Sequence, residues 1–148
     1  MRRSWLAAVV LGCLGGPALA AEPTGDWLVA NGEAVIRIAP CGEALCGVMA
    51  WSKSRGDLDS NNPDRAKRSR PLLGVPILLG MRSASDGRWK GEVYNAEDGR
   101  TYSANIALKG PDVLRIEGCV MGILCGGEKW TRTSVDNPIR SSSLTSGN

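Results

Sequence analysis

Residues 88–108, RWKGEVYNAEDGRTYSANIAL, constrain the fold more than any other stretch of this chain. Tyr102, Ala104, Ile106 and Leu108 alternate with Thr101, Ser103, Asn105 and Ala107. That is a period of two, the mark of a strand with one buried and one wet face. Before it, Trp89, Gly91 and Val93 alternate with Arg88, Lys90 and Glu92. The link between the halves ends in Asp98-Gly99, and glycine takes a positive φ there without steric cost. This is a β-hairpin. An isolated hairpin is not stable in water, so the rest of the chain must supply neighbouring strands.

The first twenty residues do not contribute. Arg2 and Arg3 precede an apolar run and an Ala18-Leu19-Ala20 site, the pattern of a cleaved export signal. The run is too short to span a bilayer, and no later stretch is long enough. Cys13 sits in a loose lipid-attachment pattern, which would ignore the Ala-x-Ala site. The expected organisation is a signal peptide over 1–20, one domain over 21–133 and a disordered, Ser/Thr/Asn-rich tail over 134–148. The product is expected to be exported, periplasmic or secreted, with cleavage near Ala20.

Composition removes several function classes. The chain has 18 basic and 15 acidic residues, but Arg2 and Arg3 belong to the signal, so the mature chain is close to neutral. A nucleic-acid binder or an anionic-membrane binder is not supported. Histidine is absent, which removes Ser-His-Asp and Cys-His catalysis and every His-containing zinc site. Phenylalanine is absent too, so the core must come from aliphatics, Trp and Tyr.

Strand-like segments recur around the hairpin at 25–30, 33–39, 45–51, 112–119 and 128–133. Residues 75–82 are apolar throughout and read as a strand, with a short helix as the alternative. Eight short strands with mostly tight links predict an eight-stranded antiparallel up-and-down barrel, with two packed sheets as the alternative. In an up-and-down order the links alternate between ends. Cys41 and Cys46 then lie at the opposite end from Cys119 and Cys125, beyond the roughly 7 Å that disulfide Cα atoms can span. Each pair is expected to bridge its own hairpin, and a single four-cysteine metal site fails for the same reason. An even cysteine count in an exported chain agrees with disulfides.

Trp27 opens the first strand and Arg132 ends the eighth, so both belong to one end of a closed barrel. Gly25-Asp26-Trp27 with a late arginine resembles the calycin pattern of lipocalins and fatty-acid-binding proteins. The resemblance implies that Arg132 packs over Trp27 and closes the barrel floor. A second resemblance covers most of the mature chain. It rests on Gly25-x-Trp27, Cys41-Gly42, Leu45-Cys46-Gly47, Asn62-Pro63, Arg70-Pro71-Leu72-x-Gly74, Trp89-x-Gly91, Gly99-x-Thr101-Tyr102, Gly118-Cys119 and Trp130-x-Arg132. These are similar to a family of small secreted bacterial proteins catalogued as a domain of unknown function. It implies a mostly β protein of calycin type and no particular activity.

The candidate functional segment is the charged connection over 52–71, which has no apolar periodicity. Loops of that length in a compact domain are usually functional or disordered. Its place in the order puts it at the end opposite Trp27 and Arg132, beside the apolar tip at 120–124. The bland reading is a solvated loop whose cations pair with Asp57, Asp59 and Asp64. Asp57-x-Asp59-x-Asn61 has the opening spacing of a calcium loop, but Asn62 and Arg68 stand where that loop needs Gly and Glu. No metal and no cofactor are expected. Trp51, Trp89, Tyr102 and Trp130 line a cavity or fill the core. The functional expectation is a non-enzymatic binding module for a small amphipathic ligand. Arg65, Arg68 and Arg70 at the mouth would meet an acidic head group. Ile36, Ile38, Met49, Trp89, Tyr102, Ile106 and Leu114 would form the walls. The rival is an envelope structural or protein-interaction domain with a solid core that uses the loop face.

Overall fold

The computed structural model describes residues 21–121 and 123–136. It is all-β: β1 (Gly25–Leu28), β2 (Ala34–Cys41), β3 (Ala44–Ser52), β4 (Pro76–Ser83), β5 (Trp89–Asn95), β6 (Arg100–Gly110), β7 (Val113–Val120) and β8 (Leu124–Thr133). Every strand pairs antiparallel with the next, and β8 returns to β1 through Trp27↔Arg132 and its neighbours, closing an up-and-down barrel. Closure leaves no unpaired sheet edge. The opening hairpin has the register its alternation predicts, with Trp89 opposite Ile106, Gly91 opposite Ala104 and Val93 opposite Tyr102. Residues 76–83 form a strand, which resolves the helix alternative.

Because links alternate between ends, the barrel has a floor, where β1 starts and β8 stops, and a mouth at the other end. The floor half is solid. Trp27, Ile38, Leu78, Met81, Ile106 and Leu114 are each no more than 1% exposed there. Burying such side chains stabilises by roughly 1.5–3 kcal/mol apiece. Arg132 seals the floor: its guanidinium carbon lies 4.3 Å from the Trp27 ring centroid. Its Nε and Nη1 donate to the carbonyls of Pro111 (2.8 Å) and Thr24 (2.9 Å), while the Trp27 indole donates to Pro23 O at 2.9 Å. Gly25 explains its own place in the motif. Its φ is +115°, and a Cβ there would stand 2.8 Å from Arg132 Nη1.

Both disulfides are local. Cys41–Cys46 bridges the β2–β3 hairpin and Cys119–Cys125 the β7–β8 hairpin, with Cα separations of 5.7 and 4.0 Å. Two disulfides fit an oxidising environment. Among the described residues no helix is long and apolar enough to cross a membrane.

Two expectations need correction. β8 begins at Leu124 rather than at 128, because pairing with β7 carries it through Gly126 and Gly127, residues with no strand propensity of their own. The 52–71 segment does have local structure. It contains a 3-10 turn, Arg65–Lys67, and a β-bridge between Leu58 and Pro71. Past β8, the Val135 amide donates to Asp26 Oδ2 at 3.2 Å. The expected signal peptide, and the expected tail from 137 onward, lie outside the described residues.

Candidate functional site

The mouth half of the barrel is hollow. A cavity of about 790 Å³ opens between the long β3–β4 connection, the β1–β2 and β5–β6 links and the upper β7–β8 hairpin. Its lower wall is apolar, built by Ile36, Met49, Ile77, Val93, Ile116 and Trp130. Its volume comes partly from missing side chains: Gly118 and Gly126 line the β7–β8 side, with open space or only ordinary contacts where a Cβ would stand. A Cβ on Gly118 would only touch Val93 and Tyr102, at 3.5 and 3.9 Å, so this glycine faces inward.

The long connection forms one side of the mouth and is held by a buried polar cluster. Asp59 is wholly buried. Its Oδ1 accepts from the Tyr94 hydroxyl at 2.5 Å; its Oδ2 accepts from Asn62 Nδ2 at 2.8 Å and from Arg70 Nε and Nη2 at 2.9 and 2.8 Å. Burial opposes ionisation of this carboxyl, but the hydrogen bonds from Tyr94, Asn62 and Arg70 and the Arg70 charge outweigh it, and the group is held below the usual carboxylate range. Tyr94 moves the other way: burial and the adjacent carboxylate push its hydroxyl up. Backbone bonds Asp59 N to Arg70 O (3.0 Å) and Leu72 N to Asp57 O (2.9 Å) close the segment on itself. It then docks on the β5–β6 turn, where Asn61 Nδ2 donates to Glu97 O at 2.8 Å. Gly99 permits that approach: its φ is +70°, and a Cβ would fall 1.8 Å from Asn61 O.

Of the residues expected at a binding site, Tyr102, Ile36 and Met49 line the cavity. Ile38, Ile106 and Leu114 are buried in the solid half beneath it. Trp89 packs half-buried against the core and is not part of the lining. Arg65, Arg68 and Arg70 are also outside it. Arg70 is taken up by Asp59, and Arg68 Nε donates to Asn62 O at 2.7 Å. Arg65 sits in the 3-10 turn. The three arginines hold or flank the connection rather than reaching into the barrel.

Sequence reasoning missed the carboxylates. Glu33, Asp57, Glu97 and Glu128 line the cavity, and among the described residues no lysine or arginine does. Glu128 lies on the inner face with Trp130, whose indole donates to its Oε1 at 2.5 Å. The signal was available: the first, third and fifth links share the mouth end and carry Glu33, Asp57 and Glu97. Glu128 has the strand parity of Trp130 and Arg132.

Known proteins bear on this geometry in two ways. By fold, the chain is similar to a protein whose structure is titled "Protein HP1028 from the human pathogen Helicobacter pylori belongs to the lipocalin family". The TM-score is 0.71 at 19% identity, over 83% of this chain and 90% of that one. No curated protein matches the chain by sequence. Residues 25–132, the barrel from the first strand to the floor arginine, match a bacterial family as a whole. The chain therefore belongs to the family described as "Uncharacterized protein conserved in bacteria (DUF2147)", folded as a lipocalin-like barrel.

Proposed function

We propose that this protein is an exported, non-enzymatic binding module that holds one small amphipathic ligand in the mouth half of its barrel. The observation that carries the reading is the cavity itself. At about 790 Å³ it falls within the roughly 300–1,000 Å³ typical of ligand pockets. It is apolar below and polar at the rim, a gradient that suits a ligand with an apolar body and a polar head. The likeness to a lipocalin-family fold supports it, since small barrels of this class either fill with side chains or hold one small ligand. The absence of histidine from the sequence removes the commonest general base and favours binding over catalysis. Export rests on the signal pattern at 1–20 and on the two disulfides.

A neutral naphthylamine fluorophore, dark in water and bright in apolar surroundings, tests the reading. Its emission should rise on titration with the protein and saturate near one probe per chain. Gly118→Leu, which places a side chain in the cavity, should abolish the rise while leaving the fold intact. No enhancement with the parent protein, or equal enhancement with both, sinks the cavity reading.

A further inference from the structure

The lining has an electrostatic sign, and from it we infer that the preferred ligand is cationic. The protein would select an amphiphile whose apolar body ends in an ammonium or amidinium group. This rests on the ligand-binding reading above and adds the chemistry of the head group. Glu33, Asp57, Glu97 and Glu128 come from four separate elements, the β1–β2 link, the β3–β4 connection, the β5–β6 turn and β8, and converge on one cavity. None of the four is in an ion pair among the described residues. Three of the six cations of the neighbouring connection are engaged elsewhere, Arg70 on Asp59, Lys67 on Asp64 at 3.6 Å and Arg68 on a backbone carbonyl, and Lys53, Arg55 and Arg65 lie outside the cavity lining.

The four residues are solvent-exposed around the mouth, and charges of one sign gathered round a concave site with an apolar wall focus a negative potential into it. A fatty-acid carboxylate would enter against that field. An ammonium would enter with it, and would meet free acceptors: the Trp130 indole uses only Oε1 of Glu128. Tyr102 and Trp130 add aromatic surface, which also favours a cation. The apolar wall of Ile36, Met49 and Val93 lies below, positioned for the tail.

Competition with the bound fluorophore by dodecylamine, dodecanol and dodecanoate at neutral pH tests the inference, since the three share a chain and differ in head-group charge. Dodecylamine should compete best, about tenfold or more better than dodecanol, and dodecanoate worst. Salt should weaken the amine and leave the alcohol unchanged. Glu128→Gln keeps an oxygen for the Trp130 indole and removes the charge. It should cost the amine about fivefold or more, leave dodecanol within about twofold and improve dodecanoate. Dodecanoate competing as well as the amine, or an amine affinity untouched in a Glu97→Gln, Glu128→Gln double variant, overturns the charge preference while leaving the cavity reading in place. Failure of all three to compete overturns both.

Discussion

Two side chains do work at the residue scale that their neighbours cannot replace. Arg132 reaches two carbonyls and one indole face at once, so truncation costs packing and leaves the Pro111 and Thr24 oxygens short of donors. Arg132→Ala is expected to destabilise by about 2–4 kcal/mol, read from urea unfolding, with Trp27 fluorescence shifted towards that of an exposed indole. Asp59 is the second. Asparagine is nearly isosteric but would turn an NH₂ towards the donors of Arg70 or Asn62, and it removes a charge that Arg70 has been desolvated to meet. Asp59→Asn should cost about 3 kcal/mol. It should also change the acid limb. The folded Asp59 carboxyl titrates below its unfolded value, so its contribution is present above the unfolded pKa and is lost as pH falls through the folded one. The parent protein should lose stability on acidification below about pH 4, and the variant should show a shallower slope there. Equal slopes would remove Asp59 from the account of acid stability.

The elements that flank the cavity mouth are the β3–β4 connection and the upper β7–β8 hairpin. The connection is ordered by polar groups rather than by apolar burial. Its position relative to the barrel is set by the Asp59–Tyr94 bond to β5 and by the contact of Asn61 with the β5–β6 turn. Gly99→Ala would force Asn61 away and strain a positive φ. It should weaken probe binding several-fold with the barrel still folded, which near-ultraviolet circular dichroism would confirm. The β7–β8 hairpin projects Met121, Ile123 and Leu124 into solvent, 90%, 83% and 74% exposed. Its clamp is the Cys119–Cys125 bridge between directly opposed residues. For so short a ring the loop-entropy estimate is about 2 kcal/mol. Replacing both cysteines by serine should lower thermal stability by about that amount and loosen the lip, seen as faster amide exchange confined to the residues around the tip.

At the scale of the whole molecule, a solid floor half holds the packed core and a hollow mouth half holds the candidate site. The two are distinct in space, because the residues that seal the floor, Trp27 and Arg132, are not among those that line the cavity. Filling the cavity through Gly118→Leu is therefore expected to keep or slightly raise the unfolding midpoint while removing the binding space. A large drop in stability would show that the glycine is needed for packing instead. Export adds one more expectation: intact mass of protein from the periplasm should correspond to a chain that begins at Ala21, and a species retaining Met1 or a lipid on Cys13 would refute it.

The alternation at 88–108, the tight links and the cysteine spacing were enough to determine the strand order, the local disulfides and the Trp27–Arg132 closure. The first two follow from short-range periodicity and from parity, the rule that successive links alternate between ends; parity placed Trp27 and Arg132 at one end, and the resemblance to the calycin pattern implied their contact. Residues 124–127 hid the start of β8 because glycines carry no strand signal and are drawn into the sheet only by their β7 partners. The site depended on distances that periodicity does not encode. The arginines of the long connection promised a basic mouth by count, yet in three dimensions Arg70 and Arg68 are consumed within their own segment. The carboxylates of four separate elements, each unremarked in its own stretch of sequence, share one cavity. Charge composition is a local sum, whereas electrostatic potential is set by which charges remain unpaired and close together, and only the tertiary structure decides that.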